Sequence, residues 1–157
     1  IVIFVKIKVM TTLEQNLQTE VKKALLAKKA ERLSALRLIK ARFDVLKTAG
    51  KGEVNEDAQI KELQRMSKER SESAELYQKN NRLDLYNKEM SEIEVIKEFL
   101  PEQMSQEAVK AEVQKVISEL GATNIKEMGK VIGETNKRLA GKTDGKTIST
   151  VVKELLS

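Results

Sequence analysis

Apolar residues recur at intervals of three and four along almost the whole of this 157-residue chain. That spacing gathers apolar side chains on one side of an α-helix, whereas a half-buried strand would show alternation at every second residue. Residues that break helices are scarce, with one proline and seven glycines. Aromatic residues make up only 3%, so Leu, Ile, Val and Met must supply most of the core. The sequence therefore predicts an all-α fold.

Helix ends can be placed from capping residues and breakers. Thr11 or Thr12 has the spacing of a capping box with Glu14 or Gln15, and begins a first helix that buries every fourth residue from Leu13 to Leu25. A second helix is predicted from about residue 31 to 49, before two glycines.

Two further helices are predicted before Pro101. The third begins after Asn55, and its polar stretch 67–73 is expected to project into solvent. The fourth follows Asn80-Asn81 and ends near Leu100, since proline disfavours helix in the preceding residue.

The chain is predicted to divide at Leu100-Pro101. We expect an N-terminal hairpin or bundle of about four helices in residues 10–100, followed by a small three-helix tail domain in residues 101–157. Ser105, Asn124 and Asp144 are the predicted caps of the three tail helices. Residues 1–9 are interpreted as an upstream extension or a segment introduced by cloning, with a short β-strand as the alternative.

Composition argues against most kinds of active site. The chain has no histidine and no cysteine, which removes the commonest general base, the commonest zinc ligand and every thiolate. Ser-Lys or paired-carboxylate chemistry stays open, but Glu89, Glu92, Glu94 and Glu98 fit the exposed surface of a helix. We predict no catalytic residue, no cofactor and no metal.

Two Gly-Lys-Thr triplets, at 141–143 and 145–147, invite comparison with a phosphate-binding P-loop. The P-loop pattern needs a further glycine five residues earlier, where this chain has Asn136 and Ala140. It also needs a preceding strand, and here a helix precedes the triplets. We interpret Gly141 as the end of one helix and Asp144 as the cap of the next.

Positive charge is segregated along the chain, whose net charge is +5. Residues 22–51 hold ten basic and two acidic side chains, residues 52–100 hold eight and twelve, and residues 126–146 hold six and three. Basic stretches of this kind favour an anionic partner. The alternative is that the acidic segment 52–100 folds back and neutralises residues 22–51.

The candidate nucleic-acid contacts lie mainly in the tail. Lys126, Lys130 and Lys137 share one face of the predicted sixth helix, and the seventh helix is expected to add its positive N-terminus. Gly129 and Gly133 are explained either by close packing against a neighbouring helix or by a smooth surface for an RNA backbone. The full set of candidates is Lys126, Gly129, Lys130, Gly133, Lys137, Arg138, Lys142, Gly145 and Lys146, together with Arg37 and Lys40 on the second helix.

Neither tyrosine lies within a basic stretch, so base stacking has little support. Phosphate and shape contacts to tRNA or another folded RNA fit better than the reading of a DNA sequence. A protein partner docked on the second or third helix is the alternative.

The sequence also bears on the compartment. No apolar run approaches the ~18 residues of a membrane span, and the absence of cysteine fits a reducing compartment. We predict a cytoplasmic protein.

Several motifs resemble the GatB/YqeY family. The run Leu100-Pro101-Glu102-Gln103-Met104-Ser105 resembles its linker, and residues 128–133 (MGKVIG) with 141–146 (GKTDGK) resemble its tail signature. Residues 82–85 (RLDL) resemble a third element, which Asn81 precedes where a glycine is common.

The resemblance implies an N-terminal helical domain and a three-helix tail. In GatB, the B subunit of the glutamine-dependent Asp-tRNA/Glu-tRNA amidotransferase, the similar tail engages tRNA. It therefore implies tRNA contact at Lys130, Lys142, Lys146 and the glycines, and an accessory role beside an amidotransferase. Family labels also imply carbon–nitrogen ligase activity, but the catalytic cradle of that subunit has no counterpart here.

Overall fold

A computed structural model of the protein describes residues 10–50 and 54–157. Every regular element in these residues is helical, which confirms the predicted all-α fold. The predicted extension at residues 1–9 lies outside the described part. The elements are α1 (Thr12–Leu26), α2 (Ala30–Ala49), α3 (Glu56–Lys79), α4 (Leu83–Lys97), α5 (Gln106–Leu120), a 3₁₀ turn (Ile125–Glu127), α6 (Met128–Arg138) and α7 (Gly145–Leu156).

The chain forms two compact units. The first ends at Phe99, and the second, which we call the tail unit, runs from Leu100 to Ser157. We call the first the N-terminal unit; it contains α1–α4, and the tail unit contains α5–α7. Each has a core of its own and is described separately.

Two helical hairpins make up the N-terminal unit. Lys28 in the α1–α2 turn and Asn81 in the α3–α4 turn both have left-handed backbone conformations, with φ of 54° and 56°. Asparagine tolerates this conformation better than most residues with a Cβ atom. Asn81 can therefore take the place of the glycine that is common at this position in the family the chain resembles.

The core of the N-terminal unit follows the helical spacing, with one difference at the end of α1. Leu13 and Leu17 are buried as predicted, but Leu25 is 56% exposed and Ala24 is buried in its place. An α-helix turns once every 3.6 residues, so a stripe spaced by four drifts about 40° at each step. After three steps Leu25 has rotated out of the core.

The polar stretch 67–73 of α3 does not project into solvent as expected. α3 and α4 are the most extensively packed pair of helices in the described chain, and Ala74 just beyond the stretch is buried. Within it, Arg70 forms an ion pair of 2.7 Å with Glu92 of α4, and the two side chains are only 13% and 14% exposed. A largely buried ion pair thus links α3 and α4 at this level, where apolar side chains pack between the two helices elsewhere.

A buried polar cluster joins the ends of α1, α2 and α3. Thr11 caps α1 as predicted, but Glu14 does not complete the box. Its carboxylate instead accepts a hydrogen bond of 2.8 Å from Gln59 and pairs with Lys47 at 3.0 Å. The Thr11 hydroxyl donates to the side-chain amide oxygen (Oε1) of Gln59 at 2.6 Å. Gln59 is fully buried, so these partners satisfy an amide that water cannot reach.

The tail unit encloses an aliphatic core to which all three of its helices contribute. Its buried members are Val109, Val113, Val116, Val131, Leu139, Ile148, Val151, Val152 and Leu156. The predicted caps are present: Ser105 on α5, Asn124 with Glu127 on the 3₁₀ turn, and Asp144 on α7. Gly121 and Gly141 have left-handed φ values of 65° and 79°, as glycines that end helices commonly do. These signals are local in sequence, which is why they could be predicted.

Candidate nucleic-acid interface

Helix α6 divides into a buried side and an exposed side. Val131 and Thr135 are fully buried in the tail core. At 100° per residue, Gly129, Gly133 and Lys137 fall on the opposite side, and all three are exposed. Lys130 lies beside Lys137 on that side, so the exposed arc pairs a glycine stripe with two ammonium groups.

The two α6 glycines have open space around them. A Cβ atom added to Gly129 or Gly133 would meet nothing within 4 Å beyond the adjacent backbone of its own helix, so the explanation by close packing against a neighbouring helix is wrong. Glycine inside a helix costs about 1 kcal/mol relative to alanine. No close contact within the described tail unit compensates for that loss of helix stability. The other explanation, a smooth surface for an RNA backbone, stays a prediction.

Seven lysines of the tail unit have no ion-pair partner among the described residues, and five of these lie between residues 126 and 146. All are exposed, and none has a carboxylate oxygen within ion-pair distance among the described residues. We call these five the tail lysines: Lys126, Lys130, Lys137, Lys142 and Lys146. Their ammonium groups are available to a ligand at no cost in broken contacts.

Arg138 differs from the tail lysines. Its guanidinium bonds Glu119 of α5 and, at 3.0 Å, Glu134 one turn earlier. These bonds raise the pKa of Arg138, and the guanidinium lowers the pKa of Glu119. Although it was predicted as a nucleic-acid contact, Arg138 is held against α5 and adds little free positive charge.

The N-terminus of α7 is also committed within the chain. The Asp144 carboxylate accepts a hydrogen bond of 2.6 Å from the backbone N–H of Thr147. A carboxylate at this position already compensates the positive end of the helix. The N–H of Thr147 is therefore satisfied within the chain, while Gly145 and Lys146 beside it are exposed. The expected contribution of this terminus to phosphate binding stays a prediction.

Glu127 fixes the start of the exposed α6 face. Its carboxylate accepts hydrogen bonds from the backbone N–H groups of Thr123, at 2.7 Å, and Asn124, at 3.4 Å. These bonds, with a smaller contribution from Lys130, lower the pKa of Glu127. The Glu127 carboxylate thus bonds backbone N–H groups and stabilises the turn that contains Lys126.

A shallow cleft lies beside Lys146 and was not predicted from the sequence. It has a volume of about 360 Å³ and is lined by Met104 and Gln106 on one side and by Thr147 and Thr150 of α7 on the other. Met104 is held there because its backbone N–H donates to the Lys142 carbonyl oxygen at 2.9 Å. No short motif joins these residues, since they meet only through the tail fold.

The basic stretch of α2 is partly neutralised within the N-terminal unit, as the alternative anticipated. Arg32 bonds Glu20 and Glu98, Arg42 bonds Glu62 and Glu69, and Lys47 pairs with Glu14. The candidates Arg37 and Lys40 are exposed and have no carboxylate partner among the described residues. They lie in the N-terminal unit, whereas the other nine candidates lie in the tail unit.

A family model described as Yqey-like protein matches residues 14–156, nearly the whole chain. The chain belongs to this family. A search of the curated proteins found no match. Among the described helices of this Yqey-like protein, none is both long and apolar enough to cross a membrane.

Proposed function

We propose that this Yqey-like protein is a non-catalytic RNA-binding module that docks folded tRNA through the exposed α6 face. The observation that carries the proposal is that unpaired lysines and exposed glycines lie on the same face of α6. Lys130 and Lys137 have no partner among the described residues, and Gly129 and Gly133 beside them open onto empty space.

Each feature suits a nucleic-acid backbone. Lysines that neutralise phosphates release counterions, which supplies most of the affinity for a polyanion. Glycines remove the Cβ atoms that would hold a sugar–phosphate chain away from the helix. The resemblance of the tail to that of GatB supports tRNA as the folded RNA and suggests an accessory role beside an amidotransferase.

The test is a titration of the full chain with tRNA at two salt concentrations. Lys130→Gln with Lys137→Gln removes two charges from the α6 face. Lys110→Gln with Lys153→Gln removes two exposed, unpaired charges from α5 and α7 of the same unit and is the matched control. At about 0.1 M salt we expect the α6 pair to weaken binding roughly tenfold or more and the control pair to change it less than threefold.

Two results would contradict the proposal. One is the absence of tRNA binding by the wild-type chain even at low salt. The other is an equal loss in the α6 pair and the control pair, since the affinity would then follow net charge without a defined face. Far-UV circular dichroism of each variant verifies that the helices are retained.

A further inference from the structure

Helix α2 carries apolar side chains on two sides. Its inner side buries Leu36, Ile39 and Phe43 in the core of the N-terminal unit. Its outer side carries a second stripe, spaced alternately by four and three residues, in which Leu38 is 41% exposed and Val45 is 59% exposed. The members of this outer stripe are Ser34, Leu38, Ala41, Val45 and Thr48.

The spacing of the outer stripe is that of the contact seam between two paired helices. A repeat of four and three residues keeps a seam facing one partner along a helix pair. All five members are exposed, so no helix in the described part of the chain covers them. With a core side already buried, α2 has an unused face suited to a second helix.

Two charges flank the stripe and distinguish it from a phosphate-binding surface. Arg37 and Asp44 are exposed, seven residues apart, and neither has an ion-pair partner among the described residues. An acidic group and exposed Leu and Val side chains do not suit an RNA backbone. One basic and one acidic residue a heptad apart do suit a partner with the same pair in the opposite direction.

We propose that the occupant of this face is a second copy of the chain, with the two α2 helices packed antiparallel. The two-fold axis lies between Ile39 and Lys40. Leu38 then packs on Ala41 of the second copy, and Arg37 faces Asp44 of the second copy. The interface is isologous, so each contact occurs twice.

Charge selects this register over its nearest competitor. A shift of one heptad would keep the apolar layers but set Asp44 against Asp44 of the second copy, and like charges that face each other repel. In the proposed register both acidic groups meet arginines. The apolar stripe alone would allow either register of the two α2 helices, and the charges favour the proposed one.

The seam is short, which sets the expected strength. A 20-residue helix is about 30 Å long, and one helix pair buries less surface than a standard stable interface. The dimer should therefore dissociate on dilution.

Sedimentation velocity over a wide range of protein concentrations, without RNA, tests the proposal. We expect the wild-type chain to shift from monomer to dimer as concentration rises. Arg37→Asp and Asp44→Arg should each raise the dissociation constant about tenfold, since each loses two ion pairs and creates two repulsive ones. The double exchange should restore it to within about threefold of wild type. Lys61→Asp, at an exposed site on α3, is the control and should change nothing.

Three outcomes overturn the proposal: a monomer at every concentration, single variants that dimerise like wild type, or a double exchange no better than the singles. Leu38→Lys adds an independent arm, because it should abolish the dimer while the exposed position keeps the monomer folded. The tail lysines take no part in this interface. Loss of the dimer and loss of tRNA binding are therefore separable results.

Discussion

The two units of this Yqey-like protein use positive charge in different ways. In the N-terminal unit, Arg32, Arg42 and Arg70 are bonded to carboxylates on other helices. In the tail unit the five tail lysines have no such partners among the described residues, and only Arg138 is paired across helices. Both stretches are basic in sequence, and the first also keeps exposed cations without an ion-pair partner among the described residues, such as Lys29, Arg37 and Lys40. The difference is that ion pairs between helices are concentrated in the N-terminal unit.

The difference shows that a count of basic residues overstates the charge available for binding. Arginine forms forked bonds with carboxylates and serves well as a cross-link between helices. The Arg32 guanidinium illustrates this, since it donates to both oxygens of Glu98 and also to Glu20. Lysines on an exposed face lose little by exchanging water for phosphate. The comparison can be tested in each unit separately.

The largest effect is expected from Arg70→Met. Removal of one partner of a largely buried ion pair costs about 3 kcal/mol, so the N-terminal unit should lose about that much free energy of unfolding. Tyr77 and Tyr86 are the only tyrosines and both lie in this unit, so tyrosine fluorescence during urea unfolding reports it selectively. tRNA affinity should stay within about twofold. A stable variant that binds tRNA poorly would reverse the roles assigned to the two units.

A somewhat smaller loss is expected from Glu14→Ala. The buried Gln59 amide would lose its acceptor and Lys47 its partner, at a cost of about 2 kcal/mol. The same fluorescence measurement checks it, with Glu31→Ala, an exposed site on α2, as the control. Equal stability of the two variants would show that Glu14 contributes nothing beyond an acidic side chain in the first turn of a helix.

Gly133→Ala should separate stability from binding in the tail unit. The new methyl group meets open space and favours helix, so the tail should gain about 1 kcal/mol. The same methyl group should weaken tRNA binding, because it holds the RNA backbone away from α6. Thermal unfolding followed by circular dichroism and a tRNA titration give the two readings. A variant that gains both stability and affinity would exclude the smooth-surface role of the glycine.

The smallest effect concerns the turn that precedes α6. Hydrogen bonds from Thr123 and Asn124 lower the pKa of Glu127 below its ordinary value of 4.5. Because the folded-state pKa is depressed, the carboxylate stabilises the tail above pH 4.5, and this stabilisation is lost as the pH falls below that value. Glu127→Gln should therefore lower the unfolding temperature at pH 7, and the difference from wild type should shrink as the pH falls from 4.5 through the folded-state pKa. Glu102→Gln in the exposed linker should be neutral over the same pH range.

Prediction from the sequence worked best where the cause was local. The caps Ser105, Asn124 and Asp144 act on N–H groups two or three residues away, so short motifs revealed them. The burial of Ala24 in place of Leu25 required the exact helical twist as well as the pattern. The Glu14–Gln59 bond joins residues 45 positions apart, and no local signal marks it.

In the candidate site, too, local features could be predicted from the sequence and contacts between helices could not. The sequence placed Lys130 and Lys137 on one face because both lie on α6, where spacing alone determines the side. It could not separate the paired Arg138 from the free lysines, since the pairing depends on Glu119 of another helix. Nor could it decide between a packed and an open environment for Gly133, because that depends on which helices approach α6.

The salt dependence of tRNA binding tests the central claim most directly. The slope of log affinity against log salt counts the phosphates neutralised, at close to one for each contact. Lys130→Gln with Lys137→Gln should reduce the magnitude of that slope by about two, whereas Arg32→Gln with Arg42→Gln should leave it unchanged while the chain remains folded. A slope that falls equally in both variants, or only in the arginine variant, would contradict the claim that the unpaired tail lysines bind the RNA.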